Sequence, residues 1–83
     1  MKEQLTNEIR DKVAEILEAE AGEIGLDDNL VTDLEADSIS QFELIAELEE
    51  RYGVVIEPVH FTRLLTIRST VEVIQELLAE KGD

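Results

Sequence analysis

The sequence predicts an all-α fold: a small antiparallel bundle of three main helices plus one short helix, with a long loop between the first and second helices. Three observations carry this. Apolar residues recur at spacings of three and four in three long stretches, as one face of a helix requires. The single β-branched run, Val54-Val55-Ile56, is too short to build a sheet and reads as an extended buried connector. Turn residues and helix-capping residues gather between the periodic stretches. Eighty-three residues predict one domain over 1–83 with little core to spare for an enclosed catalytic pocket.

Leu5, Ile9, Val13, Ile16 and Leu17 predict a first helix over about residues 3–20, closed by Gly22 as C-terminal cap. Arg10, Lys12 and Glu15 are placed to pair locally along it. From Glu23 to Asp37 the period breaks into a long acidic loop, in which Ile24, Leu26, Leu30 and Leu34 are expected to pin the backbone to the core. Asp28 or Asn29 can open a short helical turn there. The second helix is expected over Ser38–Tyr52 with Gly53 as its cap. Pro58 suits the first position of a short helix over His60, Phe61, Leu64 and Leu65. Ser69-Thr70-Val71-Glu72 reads as a capping box, and Val71, Ile74, Leu77 and Leu78 as the stripe of a last helix ending near Lys81.

The second helix carries two apolar sets. Stepping about 100° per residue, Gln41, Leu44, Ile45, Leu48 and Tyr52 share one arc, the ordinary core stripe. Ile39, Phe42 and Ala46 lie about 100° or more away at spacing i, i+3, i+7, and one small core cannot cover both sets. Glu43, Glu47, Glu49 and Glu50 border the second set. Solvent would therefore meet a small apolar patch rimmed by carboxylates, a surface suited to a basic partner. The patch begins one residue after Ser38. Followed three residues later by Gln41, Ser38 reads as an N-cap with a capping box; the same placement exposes a primary hydroxyl at the positive end of a helix, beside Asp37.

Composition narrows the chemistry. Apolar residues make up 43% and charged residues 34%, a globular balance. The net charge is −14, concentrated in residues 1–50 with 16 acids against 3 bases, while residues 51–83 carry 5 against 4. That field repels nucleic acid and anionic lipid and steers basic protein surfaces toward the first half of the chain. With no cysteine and one histidine, His60, thiolate chemistry and a zinc site lack their ligands. The aspartates of the loop fail the calcium-loop spacing: counted from Asp33, the sixth position is Ser38 where glycine is required and the twelfth is Leu44 where glutamate is required. Ser38 has no base in view and the chain no room for an oxyanion pocket, so no catalytic residues are assigned. No run reaches membrane-span length and no secretory leader pattern opens the sequence, which predicts a soluble cytoplasmic protein.

Asp37-Ser38-Ile39, preceded by Asp33-Leu34 and followed by the acidic helix ending in Leu48-Glu49-Glu50-Arg51-Tyr52-Gly53-Val54, resembles the signature of acyl and peptidyl carrier proteins. The likeness runs along almost the whole chain. It implies that Ser38 carries 4′-phosphopantetheine taken from coenzyme A, that Asp37 is its motif acid, and that Ile39, Phe42, Glu43, Ala46, Glu47, Glu49 and Glu50 form the recognition face. The implied partners are a phosphopantetheinyl transferase and acyl-loading, condensing or acyl-transfer enzymes with basic surfaces, visited by a monomeric carrier that is not itself an enzyme. Three features depart from the family pattern. Glu35 stands where glycine is common, segment 60–68 is apolar and basic where fatty-acid carriers are acidic, and that segment is a few residues longer. Together they point to a specialised polyketide, peptide or other secondary pathway over housekeeping fatty-acid synthesis. The alternative is a small acidic adaptor for a basic protein partner, with Ser38 only a cap.

Overall fold

The computed structural model describes residues 2–82. Helices α1 (Lys2–Leu17), α2 (Ser38–Tyr52) and α3 (Ile67–Gly82) are joined by a loop holding a 3-10 turn at Ala21–Glu23 and by a short 3-10 helix at Pro58–Arg63. The three long helices and the short one are those the periodicity predicts, with boundaries that differ where caps compete. Helix α1 packs against both α2 and α3, so its stripe Ile9, Val13 and Ala14 forms the middle of the core. Around it close Leu44 and Leu48 of α2 and Ile67, Val71, Val73 and Ile74 of α3. Each such side chain contributes about 1.5–3 kcal/mol by leaving water, and together they hold the bundle.

Helix α1 stops at Leu17, three residues before the predicted end. Glu18 takes a left-handed φ of 55° and the Ala19 N–H turns back to the Ala14 carbonyl at 2.9 Å, so Glu18 and not Gly22 closes the helix. Lys12 pairs with Glu15 at 3.4 Å and also reaches Glu47 of α2 at 3.5 Å. Arg10 makes no such pair, and its Nε is buried with no hydrogen-bond partner among the described residues.

The far end of α2 is held firmly. Gly53 sits at φ 63°, ψ 38° and donates to the Glu49 carbonyl, as a left-handed cap requires. The Tyr52 hydroxyl donates to Glu8 of α1 at 2.8 Å, and burial together with that carboxylate pushes the phenol up to about 12. Val54 and Ile56 are buried and Val55 exposed, the alternation of an extended connector. Pro58 occupies the start of the short helix, and His60 Nδ1 accepts the Glu57 N–H at 3.1 Å, which makes the histidine a local cap. Helix α3 begins at Ile67, earlier than the Ser69 capping box predicts, because Thr66 supplies the cap: its Oγ1 accepts the Ser69 N–H at 3.1 Å.

The loop between α1 and α2 is pinned as the sequence predicts. Ile24 and Leu30 are buried and Leu26 and Leu34 pack against the core. Segment 64–68 lies alongside it. The Leu30 N–H donates to the Leu65 carbonyl at 2.7 Å, the Arg68 N–H to the Leu26 carbonyl at 3.0 Å, and the Arg68 guanidinium grips Asp27 at 2.7 and 3.1 Å.

Candidate functional site

Ser38 is the first residue of α2, but it does not cap the helix. Asp37 does: its backbone is extended at φ −102°, ψ −178°, and its Oδ1 accepts the Ser40 N–H at 2.8 Å. The Ser38 to Gln41 capping box is therefore replaced by an Asp37 to Ser40 cap one residue earlier. The backbone N–H of Ser40 is the main reason the Asp37 carboxyl is held below the ordinary aspartate range. The exchange has a chemical result. Ser38 is exposed, and its hydroxyl forms no hydrogen bond with any described residue, so it is free to react.

The turn leading to Ser38 is braced residue by residue. Asn29 Oδ1 accepts the Val31 and Thr32 N–H groups, the Asp33 carboxylate accepts the Asn29 N–H at 2.8 Å, and the Ala36 N–H returns to the Leu30 carbonyl at 2.8 Å. Glu35 lies within this turn at φ 59°, in the left-handed region. The position where glycine was expected does need a glycine-like backbone, and a glutamate fills it under strain.

The split of α2 into two faces is as the sequence predicts. Leu44 and Leu48 are buried, while Gln41, Ile45 and Tyr52 are partly so. Ile39 and Phe42 stay 68% and 62% exposed, far beyond what a core stripe would allow. Ala46, Glu43 and Glu50 are also exposed, and Glu47 is half open despite its contact with Lys12. Glu49 does not join this rim. It turns inward, half-buried, and its Oε2 accepts the Ile56 N–H at 2.8 Å, bracing the connector after α2.

Beside the hydroxyl opens an apolar cleft of about 90 Å³ between α2 and the short helix, lined by Ser38, Gln41, Phe42, Leu44, Ile45, Phe61 and Leu64. In the sequence Phe61 and Leu64 read as members of the short helix. Only the placement of segment 61–64 beside α2 shows that they wall a cleft, and local spacing carries no signal of that placement. Gln41, the polar member of the α2 core arc, was the available hint. Among the described residues no group of His, Asp and Glu is arranged to hold a metal ion, and no helix is long and apolar enough to cross a membrane.

The site residues fit a phosphodiester-linked arm. Ser38 offers an unencumbered hydroxyl on the first turn of α2, where the helix dipole favours an anion, although the Asp37 carboxylate already draws the Ser40 and Ile39 N–H groups. Known proteins point the same way. Residues 7–74 match the family model for the phosphopantetheine attachment site. The chain is 32% identical over 78 residues to the acyl carrier protein of Campylobacter hominis, covering 94% of this chain and 99% of that one. It is 30% identical over 79 residues to polyketide-8 synthase acyl carrier protein 2 of Streptomyces avermitilis, covering 95% and 86%. The solved acyl carrier protein of Enterococcus faecalis superposes with a TM-score of 0.78 at 26% identity, over 93% of this chain and 98% of that one.

Proposed function

This chain belongs to the acyl carrier protein family, whose members hold their cargo on 4′-phosphopantetheine, and from that premise we propose that the arm is attached at Ser38 and that the exposed face of α2 is where partner enzymes dock. As a member of the family it carries acyl groups and catalyses no step itself. One observation supports Ser38 above all: the hydroxyl is exposed and unengaged because Asp37 has taken over the capping. In the transfer, the Ser38 oxygen forms a bond to the phosphorus of the phosphopantetheine half of coenzyme A. The bond from that phosphorus to 3′,5′-ADP breaks, and the hydroxyl proton leaves to a base on the transferase. When bound, the arm supplies the thiol that this cysteine-free chain lacks, and cargo is held as a thioester.

The chain's own residues supply the rest. Ile39, Phe42 and Ala46 give a visiting enzyme an apolar contact, and Glu43, Glu47 and Glu50 give its basic rim a counterpart. Glu49 is set aside from this face because it is spent on the Ile56 N–H. Contacts of this kind are small, fast and weakened by salt. The apolar cleft beside Ser38 gives an apolar cargo somewhere to lie out of water. The adaptor alternative would use the same acidic face but leaves the match to the phosphopantetheine attachment family unaccounted for.

We further propose that the carrier serves a specialised pathway. Segment 60–68 supports this reading: its two arginines are neutralised within the chain, Arg63 by Glu76 at 2.7 Å and Arg68 by Asp27, while Val59 just before it is 75% exposed. An enzyme approaching here meets an exposed valine where the family resemblance leads one to expect acids, and a polyketide carrier stands among the relatives.

The test is intact mass after incubation of the unmodified protein with coenzyme A and a broad-specificity phosphopantetheinyl transferase. One arm should be gained and Ser38→Ala should abolish the gain. No gain under conditions that modify a control carrier would remove the attachment proposal.

A further inference from the structure

Segment 60–68 lies outside the docking face proposed on α2. Its C-terminal half does two things at once. Leu64 lines the cleft next to Ser38, and Leu65 and Arg68 hold the α1–α2 loop through two backbone hydrogen bonds and a two-pronged ion pair. The hold is passed on. Leu65 fixes Leu30 at 2.7 Å, Leu30 fixes Ala36 at 2.8 Å, and Ala36 adjoins Asp37, whose carboxylate sets the first turn of α2. Two backbone hydrogen bonds and the Ala36–Asp37 peptide bond thus connect Leu65, two residues before α3, to the residue that caps α2.

We infer that segment 64–68 is a clip that sets the geometry of the Ser38 junction, and that Arg68 is its positioning residue. The inference rests on Ser38 being the attachment residue. Arg68 touches neither the hydroxyl nor the arm; it acts through the loop. Two backbone hydrogen bonds set the register of residues 26–30 against 65–68, and the two-pronged Arg68–Asp27 pair adds to their hold.

The chain contains its own control. Arg63 makes a matching two-pronged pair with Glu76, at 2.9 and 2.7 Å, on the same segment and also exposed, but it holds α3 and not the loop. Arg68→Gln, Arg68→Lys and Arg63→Gln are compared by melting temperature, by amide hydrogen exchange, and by kcat and KM for modification with coenzyme A and a phosphopantetheinyl transferase. Losing either pair should lower the melting temperature alike and slightly. Only Arg68→Gln should speed exchange at Leu30, Ala36 and Ser40, and it should lower kcat/KM by about two- to fivefold, the range an exposed pair can supply. Arg68→Lys, with the charge and no fork, should fall between. Equal loss of kcat/KM in Arg63→Gln and Arg68→Gln would overturn the clip, as would unchanged exchange at Ala36 in Arg68→Gln. If the wild-type protein accepts no arm, the attachment proposal fails, and the exchange comparison still decides whether the clip exists.

Discussion

Replacing Glu35 by glycine should make this protein more stable. Glu35 sits at φ 59°, where a Cβ crowds the following carbonyl and a non-glycine residue loses about 1–2 kcal/mol. Glycine relieves that strain but gives the unfolded chain more freedom, which offsets about 0.4–1 kcal/mol. The net gain is about 0.5–1 kcal/mol. With an unfolding entropy of about 2.1 cal/mol/K per residue, this size of chain should melt about 3–6 °C higher. Thermal denaturation followed by circular dichroism measures it. Removing one acid from a chain of net charge −14 also relieves self-repulsion, so Glu35→Ala is measured alongside. Alanine drops the charge and keeps the Cβ, and it should bring little or no rise. If Glu35→Ala stabilises as much as Glu35→Gly, the gain is electrostatic and the strain argument is wrong. A lower melting temperature in Glu35→Gly would refute the left-handed assignment itself.

Other expectations are smaller in scope. Leu44→Ala should lose about 2–5 kcal/mol of stability in urea denaturation, because it empties a buried site, whereas Phe42→Ala should change stability little while weakening productive encounters with partner enzymes; equal destabilisation by both would put the helix faces the wrong way round. Asp37→Ala should remove the α2 cap and lower the melting temperature, with Asp37→Asn, itself a good cap, close to wild type at neutral pH. Asp37 has a folded value below its ordinary 3.8, so its favourable contribution is complete above 3.8 and disappears as pH falls through the lower folded value. Asp37→Asn should accordingly flatten the acid limb of the stability profile, and an unchanged limb would count against the Ser40 hydrogen bond. Raising sodium chloride at neutral pH should raise the melting temperature by screening the 21 acids, and a falling value would show that the ion pairs outweigh the repulsion.

Much of this structure is written in local spacing. The two apolar sets of α2, the left-handed cap at Gly53 and the start of the short helix at Pro58 need only neighbours within a turn or so, and each stands where its spacing puts it. Helix ends were less legible where several capping residues stand together. Asp37 and Ser38 are both good caps, as are Thr66 and Ser69, and the choice falls to whichever residue the tertiary path leaves extended. Spacing alone favours Ser38, because Gln41 completes a capping box with it. Helix α1 ends early for a related reason: Glu18, Ala19 and Glu20 all favour helix, and only the turn toward the loop overrides them. Features built by distant segments left little trace in the sequence beyond the polar Gln41 in the core arc of α2. The cleft joins residues more than twenty positions apart, and the inward turn of Glu49 depends on the N–H of Ile56 reaching back to it.

Because the aspartate and not the serine secures the helix entrance, esterifying the serine oxygen breaks no bond that holds the scaffold together. The entrance to the second helix can therefore be decorated and stripped again without being rebuilt.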